Sequence, residues 1–240
     1  MKRWLIVSIL LTVLSSVHPL YLYYGRPDLL REQIPTHSNA AGEVDKWTPR
    51  EQILPQWLLL PGVMAGFVLL SLVLPWLSPE GFKVDAFRET FYFLMTVVVA
   101  LFAYIQLLLV LGGIEDVQMD STRWLLGGLS LFFSLLGNRL GKVQRNFWMG
   151  VRTPWTLASE AVWIQTHRLT AWLWVPGGML LALLGFAGPT VLPMTVCVIL
   201  WIAGLMLMAL TPVVYSLWLY KRLEKQGRLS PPSPVTEELR

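Results

Sequence analysis

GNRLGKVQRNFWMGVRTPWTLASEAVWIQTHR, residues 137–168, packs five cations (Arg139, Lys142, Arg145, Arg152, Arg168), one acid (Glu160) and three tryptophans between two apolar stretches. That composition suits the water side of a lipid headgroup layer. Outward from it in both directions the chain turns apolar, with 55% hydrophobic and 14% charged residues and a mean hydropathy of +0.55. A water-soluble domain of 240 residues has no interior large enough to hide that surface. The bilayer is the expected solvent.

With about 20 apolar residues needed per spanning helix, six segments read as spans: Trp4–Tyr24, Gln56–Leu77, Phe91–Gly113, Trp124–Leu140, Ala171–Ala187 and Val191–Tyr220. The expected fold is an all-α integral membrane protein with six transmembrane helices. The N-terminal MKRWLIVSILLTVLSS also has the layout of a secretory signal, but apolar and aromatic character continues through Tyr24, which favours an uncleaved first helix. The last segment, holding Pro193 and Pro212, is about 45 Å long if helical. It must tilt, kink or project beyond the membrane before Lys221.

Of the 19 Lys and Arg residues, 14 fall on one face and 5 on the other. The positive-inside rule then puts both termini and the loop 137–169 in the cytoplasm, with the loop 25–55 outside. Three units follow: an N-terminal membrane module over 1–77, a second membrane domain over 78–220, and a cytoplasmic tail over 221–240. The proline-rich, polar stretch from Ser230 is expected to be disordered. A hydropathy echo between the two three-span halves, each with a long loop after its first helix, weakly suggests an inverted duplication without residue identity.

The outer loop carries five acids and four bases, and around Asn39–Gly42 it reads as a compact turn in which Gly42 supplies a positive φ. It is either a plain surface turn or a polar cluster of His37, Asn39 and Asp45 that recognises something outside the membrane. In the inner loop, Thr153-Pro154 reads as a helix cap with proline at the first helical position, and Thr156 as an alternative cap. The helix from about Leu157 to Leu169 aligns Glu160, Trp163, Ile164 and His167 on one face. It is expected to lie in the interface, with Trp155 and Trp163 as anchors and Arg152 and Arg168 reaching phosphates. An amphipathic linker resting on lipid explains the same pattern.

The three histidines (His18, His37, His167) are far apart, and no metal-ligand spacing, nucleophile–base pair or phosphate loop occurs. No metal or cofactor is expected, and the basic residues beside apolar spans point to lipid rather than direct nucleic-acid binding. Within the spans only His18 and Gln106 offer polar function, which argues against a pump. The lone Cys197 permits no internal disulfide.

The stretch 137–168 resembles the signature of the SdpI family of bacterial membrane proteins, a pattern running G-N, lysine, asparagine, G-[IV]-R-T-P-W-T and V-W with T-H-R. Asn138, Lys142, Asn146, Gly150, Arg152, Thr153, Pro154, Trp155, Thr156, Trp163, His167 and Arg168 carry it here, whereas Arg139 departs from an expected aromatic or aliphatic residue. PTHSNAAGEVDKW, residues 35–47, is similar to the short domain of unknown function DUF1648, and adds Gly42 and Trp47 to the outer candidates. The resemblance implies a non-enzymatic immunity protein that meets a secreted antimicrobial peptide and draws a transcriptional repressor to the cytoplasmic membrane. Two other readings stand beside it. One is a membrane enzyme or lipid-handling protein that grips phosphate through Arg139, Lys142, Arg152 and Arg168, with His167 as acid or base and Glu160 orienting it. The other is a small transporter.

Overall fold

The computed structural model describes residues 2–229. Six long helices run alternately between two ends of one bundle: α1 (Lys2–Leu20), α2 (Leu54–Leu77), α3 (Arg88–Gly112), α4 (Ser121–Leu140), α6 (Glu160–Ala187) and α7 (Met194–Lys225), with the short α5 (Pro154–Ala158) ahead of α6. Leu59, Leu69, Trp76, Trp172, Leu180 and Leu183 are among the large apolar side chains left on the outside of the bundle, as a hydrocarbon solvent allows.

Among the described residues five helices are long and apolar enough to cross a membrane, and α4 is not one of them, against the six read from the sequence. Arg123, Asn138 and Arg139 lie within the 20 residues of α4, and its packing face adds to their effect. Gly127, Ser130, Ser134 and Gly137 form a stripe of small residues facing α6, and a Cβ on Gly185 would sit 2.6 Å from the Gly127 backbone nitrogen, one on Gly178 2.7 Å from the Ser130 carbonyl oxygen. Small residues lower the hydropathy of α4 while letting two backbones touch, which is how helices associate where lipid removes the hydrophobic drive.

Prolines elsewhere free carbonyls that side chains then use. Pro212 has no N–H for the Met208 carbonyl one turn earlier, and the indole Nε1–H of Trp174 donates to that oxygen at 2.9 Å. Trp201 likewise donates to Ser130 Oγ at 2.7 Å, so α4, α6 and α7 are joined by hydrogen bonds inside an apolar cluster of Leu126, Leu181, Trp201 and Met208. Helix α7 reaches Lys225, beyond the predicted Tyr220, because Leu219 and Leu223 pack on Val162. The predicted disordered stretch from Ser230 lies outside the described residues.

The outer loop contains a β-hairpin, where only a turn was expected in an all-α fold. Strands β1 (Gln33–Ser38) and β2 (Val44–Pro49) pair antiparallel, with register irregularities around His37. Ile34 at the base of the hairpin is fully buried with Leu22, Leu30, Ile53, Trp57 and Val110, so the hairpin is sewn to the ends of α1, α2 and α3. Arg31 extends this by donating to the carbonyls of Ile114, Glu115 and Val117. Two isolated strands are marginal in water, and this docking supplies the missing stability.

Candidate functional site: a cleft under the hairpin and a knot at the opposite end

The two polar inserts lie at opposite ends of the bundle. At the hairpin end, Gly42 with φ +83° closes the turn as predicted, and Asn39 accepts from Ala41 N–H and Glu43 N–H at 2.9 and 3.1 Å. The expected His37, Asn39 and Asp45 cluster divides. His37 Nδ1 lies 2.6 Å from Asp45 Oδ1, whereas Asn39 donates to Glu43 Oε2 at 3.1 Å. The first joins the two strands and the second closes the turn between them; both are solvent-exposed, and Trp47 is exposed on β2.

Beneath the hairpin is a cleft of about 390 Å³. Its roof is the run Pro35–Ala40 with Val44; its walls are Ile105, Leu108, Leu109 and Gly112 of α3, Ser121, Thr122, Leu125 and Leu126 of α4, and Val198 of α7. No sequence signal marked these helix residues, because an apolar helix face reads as a span whether it meets lipid or a cavity.

At the other end the signature residues fold into a knot. The fully buried side chain of Asn146 accepts from Trp148 N–H and Met149 N–H at 2.7 and 2.9 Å and donates to the Gln144 and Met149 carbonyls. Trp163 is fully buried and donates to the Val143 carbonyl at 2.7 Å, with its ring stacked on His167 at 4.0 Å. His167 is 1% exposed; its Nε2 accepts from Val151 N–H at 3.0 Å, which assigns the proton to Nδ1, 2.8 Å from the Trp163 carbonyl oxygen. Gly150, at φ +111°, passes so close to the imidazole that a Cβ would collide with it.

Thr153 caps α5 as predicted: its Oγ1 accepts from Thr156 N–H at 3.2 Å while Thr156 Oγ1 accepts from Thr153 N–H at 2.9 Å. Pro154 occupies the first turn, and Thr153 Oγ1 also lies 3.0 Å from Ser216 Oγ, a partner on α7 that no local pattern singles out. Ser159 then caps α6, and the segment expected to be a separate interfacial helix is the first part of that long helix. Trp163 and His167 are therefore core residues rather than lipid anchors, while Trp155 is half-buried and Glu160 exposed.

The cations are distributed between structure and surface. Arg145 donates to the Leu157 carbonyl at 3.0 Å and lies over the Phe82 ring; Arg152 donates to the Phe147 carbonyl; Arg139 lies over Phe93. Asn138, Lys142 and Arg168 are exposed. Both ring nitrogens of the buried His167 are occupied by backbone partners, so the imidazole ties the loop to α6. Among the described residues no cluster of His, Cys, Asp or Glu could hold a metal ion.

Apolar helices of spanning length, wrapped around a knotted polar loop, define a multi-pass membrane protein. Residues 142–216 match the SdpI/YfhL protein family, and this match together with the helices of spanning length places the chain in the bacterial cytoplasmic membrane. Over 59 residues the chain is 36% identical to the immunity protein SdpI of Bacillus subtilis strain 168, covering 25% of this chain and 28% of that protein. No solved structure matches the chain. The family match opens at Lys142 inside the knot and closes at Ser216, the residue that meets Thr153, and it does not reach the hairpin.

Proposed function

We propose that this chain is a non-enzymatic immunity protein in which the cleft beneath the hairpin receives a secreted antimicrobial peptide. The observation that carries the reading is the cleft itself, roofed by the N-terminal module and walled by α3, α4 and α7. The sheet has two strands, so β1 has one unpaired edge, and residues 35–40 of that strand and turn face the cleft. An extended peptide can pair its backbone with such an edge and place alternate side chains among apolar walls. The partial likeness to a curated immunity protein favours a peptide over other guests.

The topology that goes with this function has α4 as a sixth crossing, both termini and the knot in the cytoplasm, and the hairpin outside. In this arrangement 1–77 is a DUF1648-like module, 78–220 the immunity domain, and the exposed Lys142 and Arg168 face a cytoplasmic regulator such as a repressor. A bound peptide signals through the bundle only if it binds two helix arrangements with different affinity. In a Cys197→Ser background, Ala41→Cys is expected to react with an impermeant maleimide in intact cells, and Lys142→Cys only after permeabilisation. Labelling of both in intact cells rejects the topology.

The functional test uses a peptide-sensitive strain expressing the protein and challenged with secreted antimicrobial peptides. Thr122→Trp fills the cleft. Protection is expected to fall at least about tenfold, the loss of about 1.4 kcal/mol of binding, with unchanged protein in the membrane. Full protection by this variant would remove the cleft from the function.

A further inference from the structure

The hairpin is held differently at its two ends. At the base Ile34 is fully buried, the Arg31 N–H donates to the Gly113 carbonyl at 3.0 Å, and the Glu115 N–H donates to the Leu29 carbonyl at 2.9 Å. At the tip, among the described residues, the hydrogen bonds of residues 39–43 stay inside the hairpin. Asn39 N–H donates to the Glu43 carbonyl and Gly42 N–H to the Asn39 carbonyl, and the Asn39 side chain bonds Ala41 and Glu43. Between base and tip the strand pairing loses register at His37, an irregularity of the kind that lets a strand bend.

The tip meets the side chain of Met194, the first residue of α7. A Cβ built on Gly42 would lie 3.3 Å from Met194 Cγ and 3.9 Å from Met194 Cβ, so the space admits little beyond the glycine backbone. Met194 is half-buried against the cluster of Leu126, Leu181, Trp201 and Met208, and Val198, one turn along the same face of α7, belongs to the cleft wall. The hairpin therefore bridges the cleft from the end of α3 to the start of α7. Hydrogen bonds and a buried isoleucine fix the α3 side, while an apolar contact with a side chain of three rotatable bonds meets the tip on the α7 side. Such a contact has no preferred direction and adapts easily.

We propose that the hairpin tip is a lid on the cleft and that Met194 is the catch controlling admission, the tip lifting from α7 about the irregularity at His37. Ser38, Asn39 and Ala40 belong to the roof, so a lifted tip carries that part of the roof away and uncovers Thr122 and Leu125 of α4. The proposal rests on the reading of the cleft as a peptide site for the identity of the guest. The movement of the lid is independent of that reading.

The test uses the full chain in lipid nanodiscs, in a Cys197→Ser background. With Thr122→Cys as the sole thiol, the rate of maleimide labelling reports how often the cleft opens. Met194→Ala is expected to speed labelling at least about fourfold, the loss of one buried methylene-sized contact, and Met194→Leu, which keeps the bulk, to hold the parental rate. For the closed position, Gly42→Cys combined with Met194→Cys sets two Cβ atoms near the 3.9 Å separation, within disulfide range. Diamide should join them within one chain, as followed on non-reducing gels. In the peptide-sensitive strain the joined form should protect at least about tenfold less than either single cysteine variant. Unchanged labelling of Met194→Ala overturns the lid, whatever the protein protects against. Full protection by the joined form, with protection lost in Thr122→Trp, overturns the catch and leaves the cleft reading standing; full protection by both removes the two together.

Discussion

His167→Leu is expected to lower the melting temperature of the purified protein more than any other single change in the knot. Leucine is close in volume to histidine, so the loss is mainly polar. The Val151 N–H loses its acceptor and the Trp163 ring its stacking partner, both in a site that water does not reach. Leaving buried partners unpaired costs about 1–3 kcal/mol for each group, and removal of the stack about 0.5–1.5 kcal/mol more. His167→Gln, whose amide can accept from one backbone group and donate to another, should recover part of the loss. A leucine variant that melts with the parent, followed by intrinsic tryptophan fluorescence, would show that His167 does not hold the loop.

The second large effect belongs to the seam between α4 and α6. Gly185→Val introduces a side chain where even a Cβ would sit 2.6 Å from the backbone of Gly127. The contact is backbone on both sides, so no rotamer change relieves it, and the helices must separate along a stripe running from Gly127 to Gly137. Overpacking of this kind costs typically about 1–3 kcal/mol and occasionally more; a backbone clash lies at the upper end, and yield in the membrane should fall with stability. Gly66→Val on α2 is the control, because a Cβ there meets nothing within 4 Å. Equal yield and melting of the two variants would mean that the seam tolerates separation.

The sequence made legible those features that depend on one segment at a time. Apolar length located the apolar part of each long helix, though not the first turns of α6, Thr153-Pro154 announced the start of α5, and Gly42 announced the turn. Features that depend on two segments meeting were hidden. Trp163 and His167 repeat at helical spacing beside cations, which is also the pattern of an interfacial helix, and only the loop folding back over them makes them core. The low hydropathy of α4 reads equally as a poor span or as a close-packing face, and Gly178 and Gly185 on α6 decide it. The hairpin strands contain Pro35 and Pro49 and are only six residues each, so their pairing rests on Ile34 and Arg31 contacting the helix ends.

The signature residues, for the same reason, mark a fold more than a ligand. Of the thirteen inner candidates, Asn146, Thr153, Thr156, Trp163 and His167 are buried, with side-chain hydrogen bonds to the protein itself. Those exposed and able to meet another molecule are Asn138, Lys142, Arg152, Pro154, Glu160 and Arg168 around the rim.

Mechanically, the glycine-lined contact makes α4 and α6 a two-ply board. With main chain resting on main chain, neither ply can slide by a turn without driving its neighbour's side chains through glycine notches too small to admit them. Compliance is therefore left to joints held by side chains alone, such as the contact of α1 with α3 through Ser8 and Thr96.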